Sequence, residues 1–245
     1  KVNLQFRGKP SLLSDAFIGV TAQLNEATVE TEHLRFPLTD LQGEITYTPD
    51  GVAWKEVQGN FENHDFLING QLNNFSQPLV KSYFRSQSLG LDVNGQAQFL
   101  GPNLKIDSLR GRYLNSSFDV KGELQEFQSQ NPEAHLAGRI TLDLKDLSSL
   151  GASVQNHLEK LKPSGTLAID SSLQGKLKDW PNWKLNFSAK SPEVSLSGYK
   201  IEDVSLKWDQ SRGRIDQLDM TARLYDGQFR LKSSADLTLE EMPYR

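Results

Sequence analysis

Apolar and polar residues alternate strictly along much of this chain. Phe118, Val120, Gly122 and Leu124 alternate with Asp119, Lys121, Glu123 and Gln125. Ile140, Leu142 and Leu144 alternate with Arg139, Thr141, Asp143 and Lys145, and Leu218, Met220, Ala222 and Leu224 with Asp219, Thr221, Arg223 and Tyr225. A period of two means extended strands with one apolar and one wet face. Turn signals separate the runs: Pro49-Asp50-Gly51, Gly101-Pro102-Asn103, Ser211-Arg212-Gly213 and Asp226-Gly227. The pattern predicts about fifteen strands joined by short connections, as antiparallel meanders require.

The alternation is organised as a repeat. Leu41–Leu72 and Val93–Leu124 align without a gap at a shift of 52 residues. Gly43 matches Gly95, Tyr47 matches Phe99, and Val57-Gln-Gly59-Asn-Phe61 matches Leu109-Arg-Gly111-Arg-Tyr113. Phe66-Leu-Ile68-Asn-Gly70-Gln-Leu72 matches Phe118-Asp-Val120-Lys-Gly122-Glu-Leu124, and a looser third copy runs over Val204–Leu237, with Leu218 in the role of Leu109. Repeats of this period are stacked supersecondary units that contact mainly their neighbours. A propeller would repeat a Trp-Asp signature in each blade, and here Trp208-Asp209 occurs once. The expected organisation is leading strands over 1–36, two tandem β repeats over 37–133, and a C-terminal β segment over 134–245, as one elongated domain cut from a longer protein.

Two features interrupt the pattern. Gly43, Gly59, Gly70, Gly95, Gly111 and Gly122 fall on the apolar face inside strands. They are read either as bulges and bends, or as gaps that let the sheet curve and a ligand approach the backbone. Leu147, Leu150, Val154, Leu158 and Leu161 lie at helical spacing and Pro163 ends the run, which predicts a short amphipathic helix over 147–161. It would cover one end of the apolar face or act as a gate.

Composition narrows the chemistry. Of the 245 residues 37% are apolar and 24% charged, with a net charge of −4 and a mean hydropathy of −0.52. A weakly acidic chain lacks the clustered basic surface that nucleic acid needs, so no nucleic-acid partner is expected. With no cysteine, thiol catalysis, thiolate zinc and disulfides are excluded. No run reaches the roughly 18 apolar residues of a membrane helix. His33, His64, His135 and His157 share no metal-ligand spacing and are read as surface residues. No nucleophile elbow, phosphate loop or dinucleotide fingerprint occurs. The chain is therefore read as a non-enzyme with no metal and no cofactor. Trp180-Pro-Asn-Trp183 is the one local aromatic cluster; it is a turn packed on a sheet edge or a sugar contact.

Several phrases resemble the AsmA-like family of Gram-negative envelope proteins, of the TamB and YhdP types. Phe36-Pro-Leu-Thr-Asp-Leu-Gln-Gly-Glu-Ile45 followed by Asp50-Gly51, and the Gly59–Gly70 unit, are similar to YhdP-type segments. Ser164-Gly-Thr-Leu-Ala-Ile-Asp-Ser-Ser-Leu-Gln-Gly-Lys-Leu177 resembles the TamB and AsmA pattern, and Leu224-Tyr-Asp-Gly-Gln-Phe229 a closing phrase of AsmA-like domains. The resemblance runs from about residue 17 onward. It implies a long, taco-shaped β-sheet with a hydrophobic groove, a periplasmic location, an inner-membrane anchor, and phospholipid traffic between the inner and outer membranes. The family has no catalytic residues to carry over.

The expected fold is thus all-β: an elongated, strongly curved antiparallel sheet of about 70 Å at about 4.8 Å per strand. The residues expected to line its groove are Ile45, Tyr47, Val57, Phe61, Phe66, Ile68, Leu72, Val93, Phe99, Leu109, Tyr113, Phe118, Val120, Leu124, Ile140, Leu142, Leu144, Leu218, Met220 and Leu224. Phospholipid acyl chains are the expected ligand. The competing expectation is a structural or adhesive β-repeat protein, closed as sandwiches and without a ligand.

Overall fold

Alternating runs bounded by turn residues form strands throughout the computed structural model. It describes the backbone of residues 2–7, 17–30, 36–149, 158 and 161–237, and the side chains of 19–30, 36–149, 158 and 161–237. Strand order follows chain order from β1 to β15 in an open antiparallel sheet. The chain divides into two compact units.

Unit one holds 1–101 and 105–113. Its strands are β1 (Val2–Arg7), β2 (Phe17–Val29), β3 (Leu38–Thr48), β4 (Gly51–Phe61), β5 (His64–Asn73), β6 (Leu79–Ser86), β7 (Leu91–Leu100) and the body of β8 (Asn103–Tyr113). Unit two holds 102–104 and 114–245. Its strands are β9 (Ser116–Gln125), β10 (Glu133–Asp143), β11 (Ser164–Lys176), β12 (Lys184–Leu196), β13 (Tyr199–Ser211), β14 (Arg214–Leu224) and β15 (Gly227–Asp236). The division falls inside the second repeat copy, while the sequence pattern places its break at 133/134.

Bulges interrupt the ladders of unit one. Glu26 (φ 53°), Asp40 (φ 54°) and Glu56 (φ 49°) take the left-handed conformation, each within a register shift between successive strands, β2 to β5. An extra residue in one strand increases local twist. The Glu56 bulge is fastened from β5, because its N–H donates to Asn69 Oδ1 at 2.7 Å.

Two of the repeat glycines show why a side chain is missing. A Cβ on Gly70 would collide with the Trp54 ring at 2.7 Å and with the Lys81 carbonyl. A Cβ on Gly59 would collide with Leu41 Cδ2 at 2.8 Å. At both positions a large neighbour from the adjacent strand occupies the gap, so close packing rather than ligand approach accounts for them.

The helix expected over 147–161 begins differently. Leu144–Ser149 is a 3-10 turn. The Asp143 carboxylate accepts the Lys145 N–H at 3.0 Å, and Asp146 is tied back to the start of β9, which holds the backbone in a tight turn. Leu158 and Leu161 are helical, and the Lys162 N–H donates to the Leu158 carbonyl at 2.8 Å. Positions 150–157 and 159–160 lie outside the described residues.

Candidate functional site

Antiparallel register decides which side chains share a face, because directly paired residues point the same way. In unit one, Tyr47, Val52, Leu72, Val80 and Ala97 form one cross-strand row. The next row holds Ile45, Trp54, Gly70, Ser82 and Gly95. Beyond it Val57, Ile68, Phe84 and Val93 are paired in turn, and then Gly59 and Phe66. Phe61 pairs Leu38 and His64 at the end, where its ring meets Phe36 edge-on at 6.0 Å. Leu109 joins this face through its Cδ1, 3.4 Å from where a Gly95 Cβ would sit.

Unit two repeats the arrangement. Phe118, Ile140, Ile169, Ala189, Leu206, Met220 and Leu231 form one row from β9 to β15. Val120, Gly138, Ser171, Phe187, Trp208 and Leu218 form the next, and Leu124 pairs Ala134. Leu224 pairs Ile201 and Gly227.

These faces are apolar but only partly covered. Of the residues expected to line a groove, Val57 and Leu144 are buried, while Tyr47 and Leu224 are 47% and 40% exposed. The other sixteen, including Phe99 and Tyr113, are half-buried. Leu144 is not a groove wall. It sits in the 3-10 turn and packs with Val194, Val204 and Ala222, joined by Leu142, Leu147, Leu167 and Ile201. That turn roofs one end of the apolar face of unit two. The largest fully sequestered side chain among the described residues is that of Ser86, where a two-layer core would hold Leu, Ile or Phe. Within each unit the strands make their main contacts with chain neighbours.

Sequence reasoning missed Val52, Trp54, Val80, Phe84, Ile169, Phe187, Leu206 and Trp208, all of which join the rows. Alternation around Val80, Ser82 and Phe84 was readable. At Trp54–Val57 the Glu56 bulge shifts the period by one, which hides the face.

The opposite face is wet and charged. Lys200 bridges Glu193 and Glu202 at 2.7 and 3.1 Å, and Arg223 bridges Glu202 and Asp203 at 2.7 and 3.1 Å. Hydrogen bonds to Lys200, with the positive charge of Arg223, hold Glu202 below its ordinary pKa. Asp65 accepts Ser88 Oγ and the N–H groups of Gln87 and Ser88, which closes the β6–β7 turn and lowers its pKa to about 2. Asp146 is 3% exposed. Burial alone raises its pKa, but hydrogen bonds from Ser116 Oγ (2.6 Å), the Asn115 side chain (3.0 Å) and backbone N–H groups outweigh that and lower it.

Histidine chemistry does not gather. His135 pairs Glu133 at 3.0 Å. His64, expected at the surface, is half-buried beside Phe61 because the β4–β5 hairpin turns it onto the apolar face. His33 and His157 lie outside the described residues. Among those residues no three His, Cys, Asp or Glu side chains converge on a metal position. The Trp180–Trp183 segment is a turn fastened to the sheet: Gln210 Nε2 donates to the Trp180 and Pro181 carbonyls at 2.8 and 3.1 Å. Among the described residues no helix is long and apolar enough to cross a membrane. Comparison of the chain with family models, curated proteins and solved structures yields no match.

Proposed function

We propose that this chain shields lipid acyl chains on the apolar face of its sheet, as a periplasmic segment of an AsmA-like protein. The parent protein would be anchored in the inner membrane and would carry phospholipid between the inner and outer membranes. The observation that supports this reading is the row structure: successive strands align apolar side chains into half-open bands with charged residues on the other side. Apolar surface left in water costs about 25 cal/mol per Å². An acyl chain laid on such bands gains roughly 0.8 kcal/mol per buried CH₂, so about sixteen carbons suffice for capture. Neighbouring rows are chemically alike, so the chain would slide between them with little net change in energy. No catalytic step is part of the proposal.

The test is lipid extraction and mass spectrometry of the chain purified from the periplasm of a Gram-negative host. A photocrosslinking residue is placed at Ile68, at Val120, or at Lys81 on the polar face. Co-purified phospholipid, crosslinked from Ile68 and Val120 and not from Lys81, is the expected result. No lipid, or equal crosslinking from all three positions, refutes the proposal and leaves a structural β-repeat protein without a ligand.

A further inference from the structure

The turn between β11 and β12 holds out a side chain that acyl-chain capture does not use. Trp180–Asn182 form a single 3-10 turn, and its backbone is pinned from beneath. Gln210, only 4% exposed, donates Nε2 to the carbonyls of Trp180 and Pro181, and the Gly213 N–H donates to Pro181 at 3.0 Å. The Trp183 indole N–H donates to the Lys176 carbonyl at 2.8 Å, with its ring against Gly175. The Trp180 indole takes no part in this fastening. It is 55% exposed, whereas the other three tryptophans, Trp54, Trp183 and Trp208, are half-buried. Leu177, in the same connection, is 39% exposed.

Register gathers cations around this turn that the sequence keeps apart. Lys176, Lys178 and Lys184 flank Trp180, and the β13–β14 turn, joined to it through Gly213, adds Arg212 and Arg214. All five are exposed, and none of their side chains has an ion-pair partner among the described residues. Carboxylates stand nearby but are held by other groups. Asp179 accepts Asn182 Nδ2 at 3.0 Å, Glu133 pairs His135 at 3.0 Å, and Asp216 accepts Ser211 Oγ at 2.6 Å. The opposite strand end of unit two is built differently. Tyr199 and Tyr225 are exposed there too, but Lys200 and Arg223 are bridged to Glu193, Glu202 and Asp203.

We infer that the Trp180 end of unit two docks on the surface of an anionic lipid bilayer. A tryptophan with a free indole N–H has an apolar body and a polar tip, which suits the headgroup level of a membrane. Unpaired lysines and arginines are drawn to an anionic leaflet, and Leu177 adds apolar surface to the same contact. A protein partner is the poorer match, because protein interfaces are depleted in lysine, and three of these five cations are lysines. The pinned backbone sets the turn before contact, so little ordering is lost on docking. The inference stands apart from acyl-chain capture: vesicle binding reads docking, and crosslinking from Ile68 reads capture.

The test is co-sedimentation of the intact chain with vesicles of phosphatidylcholine alone, or of equal parts phosphatidylcholine and phosphatidylglycerol. Saturable binding to the anionic vesicles is expected, at least about tenfold tighter than to the neutral ones, with a blue shift of tryptophan emission. Each cation near an anionic surface contributes about a fivefold factor in affinity. The exposed double substitution Lys178→Glu with Arg212→Glu therefore weakens binding at least about twentyfold. Trp180→Ala removes the emission shift, and Tyr225→Ala, at the opposite strand end, leaves the affinity unchanged; circular dichroism confirms that each variant is folded. Equal binding to neutral vesicles overturns the inference, as does undiminished binding by the double variant or an emission shift that survives Trp180→Ala. Binding to single-stranded DNA without binding to vesicles overturns it in favour of a nucleic-acid surface.

Discussion

Replacing Ile68 with Asp separates an open apolar face from a closed core. Ile68 stands between Val57 of β4 and Phe84 of β6 and is half-buried. Full burial of an isoleucine contributes roughly 1.5–3 kcal/mol, and with about two-thirds or more of Ile68 covered, losing it costs about 1–2.5 kcal/mol. A carboxylate that keeps part of its hydration adds about 1–2 kcal/mol, well below the cost of an unpaired polar group in a dry interior. The expected loss is about 2–4.5 kcal/mol, read from the urea midpoint by circular dichroism and tryptophan fluorescence, and the protein stays folded. Lipid behaves differently. An acyl chain lying over residue 68 must strip water from a charge, at several kcal/mol, so crosslinking of lipid from neighbouring positions falls at least about tenfold. Val120→Asp, at the equivalent repeat position opposite Gly138, repeats the result in unit two. Precipitation, or a stability loss above about 5 kcal/mol, refutes the reasoning, since losses of that size mark disruption of a packed core. Unchanged lipid crosslinking in a folded variant refutes it equally.

Gly70→Val drives a side chain into the Trp54 ring and the Lys81 carbonyl; overpacking lowers stability by about 1–3 kcal/mol and shifts the fluorescence of Trp54, both read in one urea titration. Asp146→Ala leaves the Asn115 and Ser116 donors without their acceptor and costs about 2–4 kcal/mol, with loss of hydrogen-exchange protection in the 3-10 turn; an unchanged midpoint would contradict the clamp. Asp65 and Asp146 both have depressed pKa values in the folded chain, so their contribution is full above the unfolded value near pH 4 and disappears as pH falls through the folded values, about 2 for Asp65. Stability is therefore expected to fall with acidification below about pH 4, and Asp65→Asn or Asp146→Asn should each flatten that slope in a pH series of urea midpoints.

The apolar face of β9 was legible residue by residue, since Phe118, Val120 and Leu124 alternate with charged or amide neighbours and no bulge intervenes. The face of β4 was not. Trp54 and Val57 share a face although three positions separate them, because Glu56 takes a left-handed conformation that consumes one residue. Acidic residues at φ near 50° carry no distinctive sequence signal, unlike a glycine. Gly59 and Gly70 marked special positions, but the sequence could not say that Leu41 and Trp54 would fill them.

Period-two patterning and turn chemistry were enough to specify an antiparallel meander, its strand count and the face each regular strand turns to its neighbours, because these depend on local backbone geometry. Neighbouring strands pair in chain order for the same reason: short turns leave no other partner within reach. Tertiary structure alone decided how deeply each apolar residue is covered, where bulges reset the register, and that Leu144 leaves its strand pattern for a roofing turn. Those outcomes depend on partners tens of residues away, such as Asn115 and Ser116 for Asp146. Burial and register are properties of paired strands, and no single stretch of the chain contains both partners.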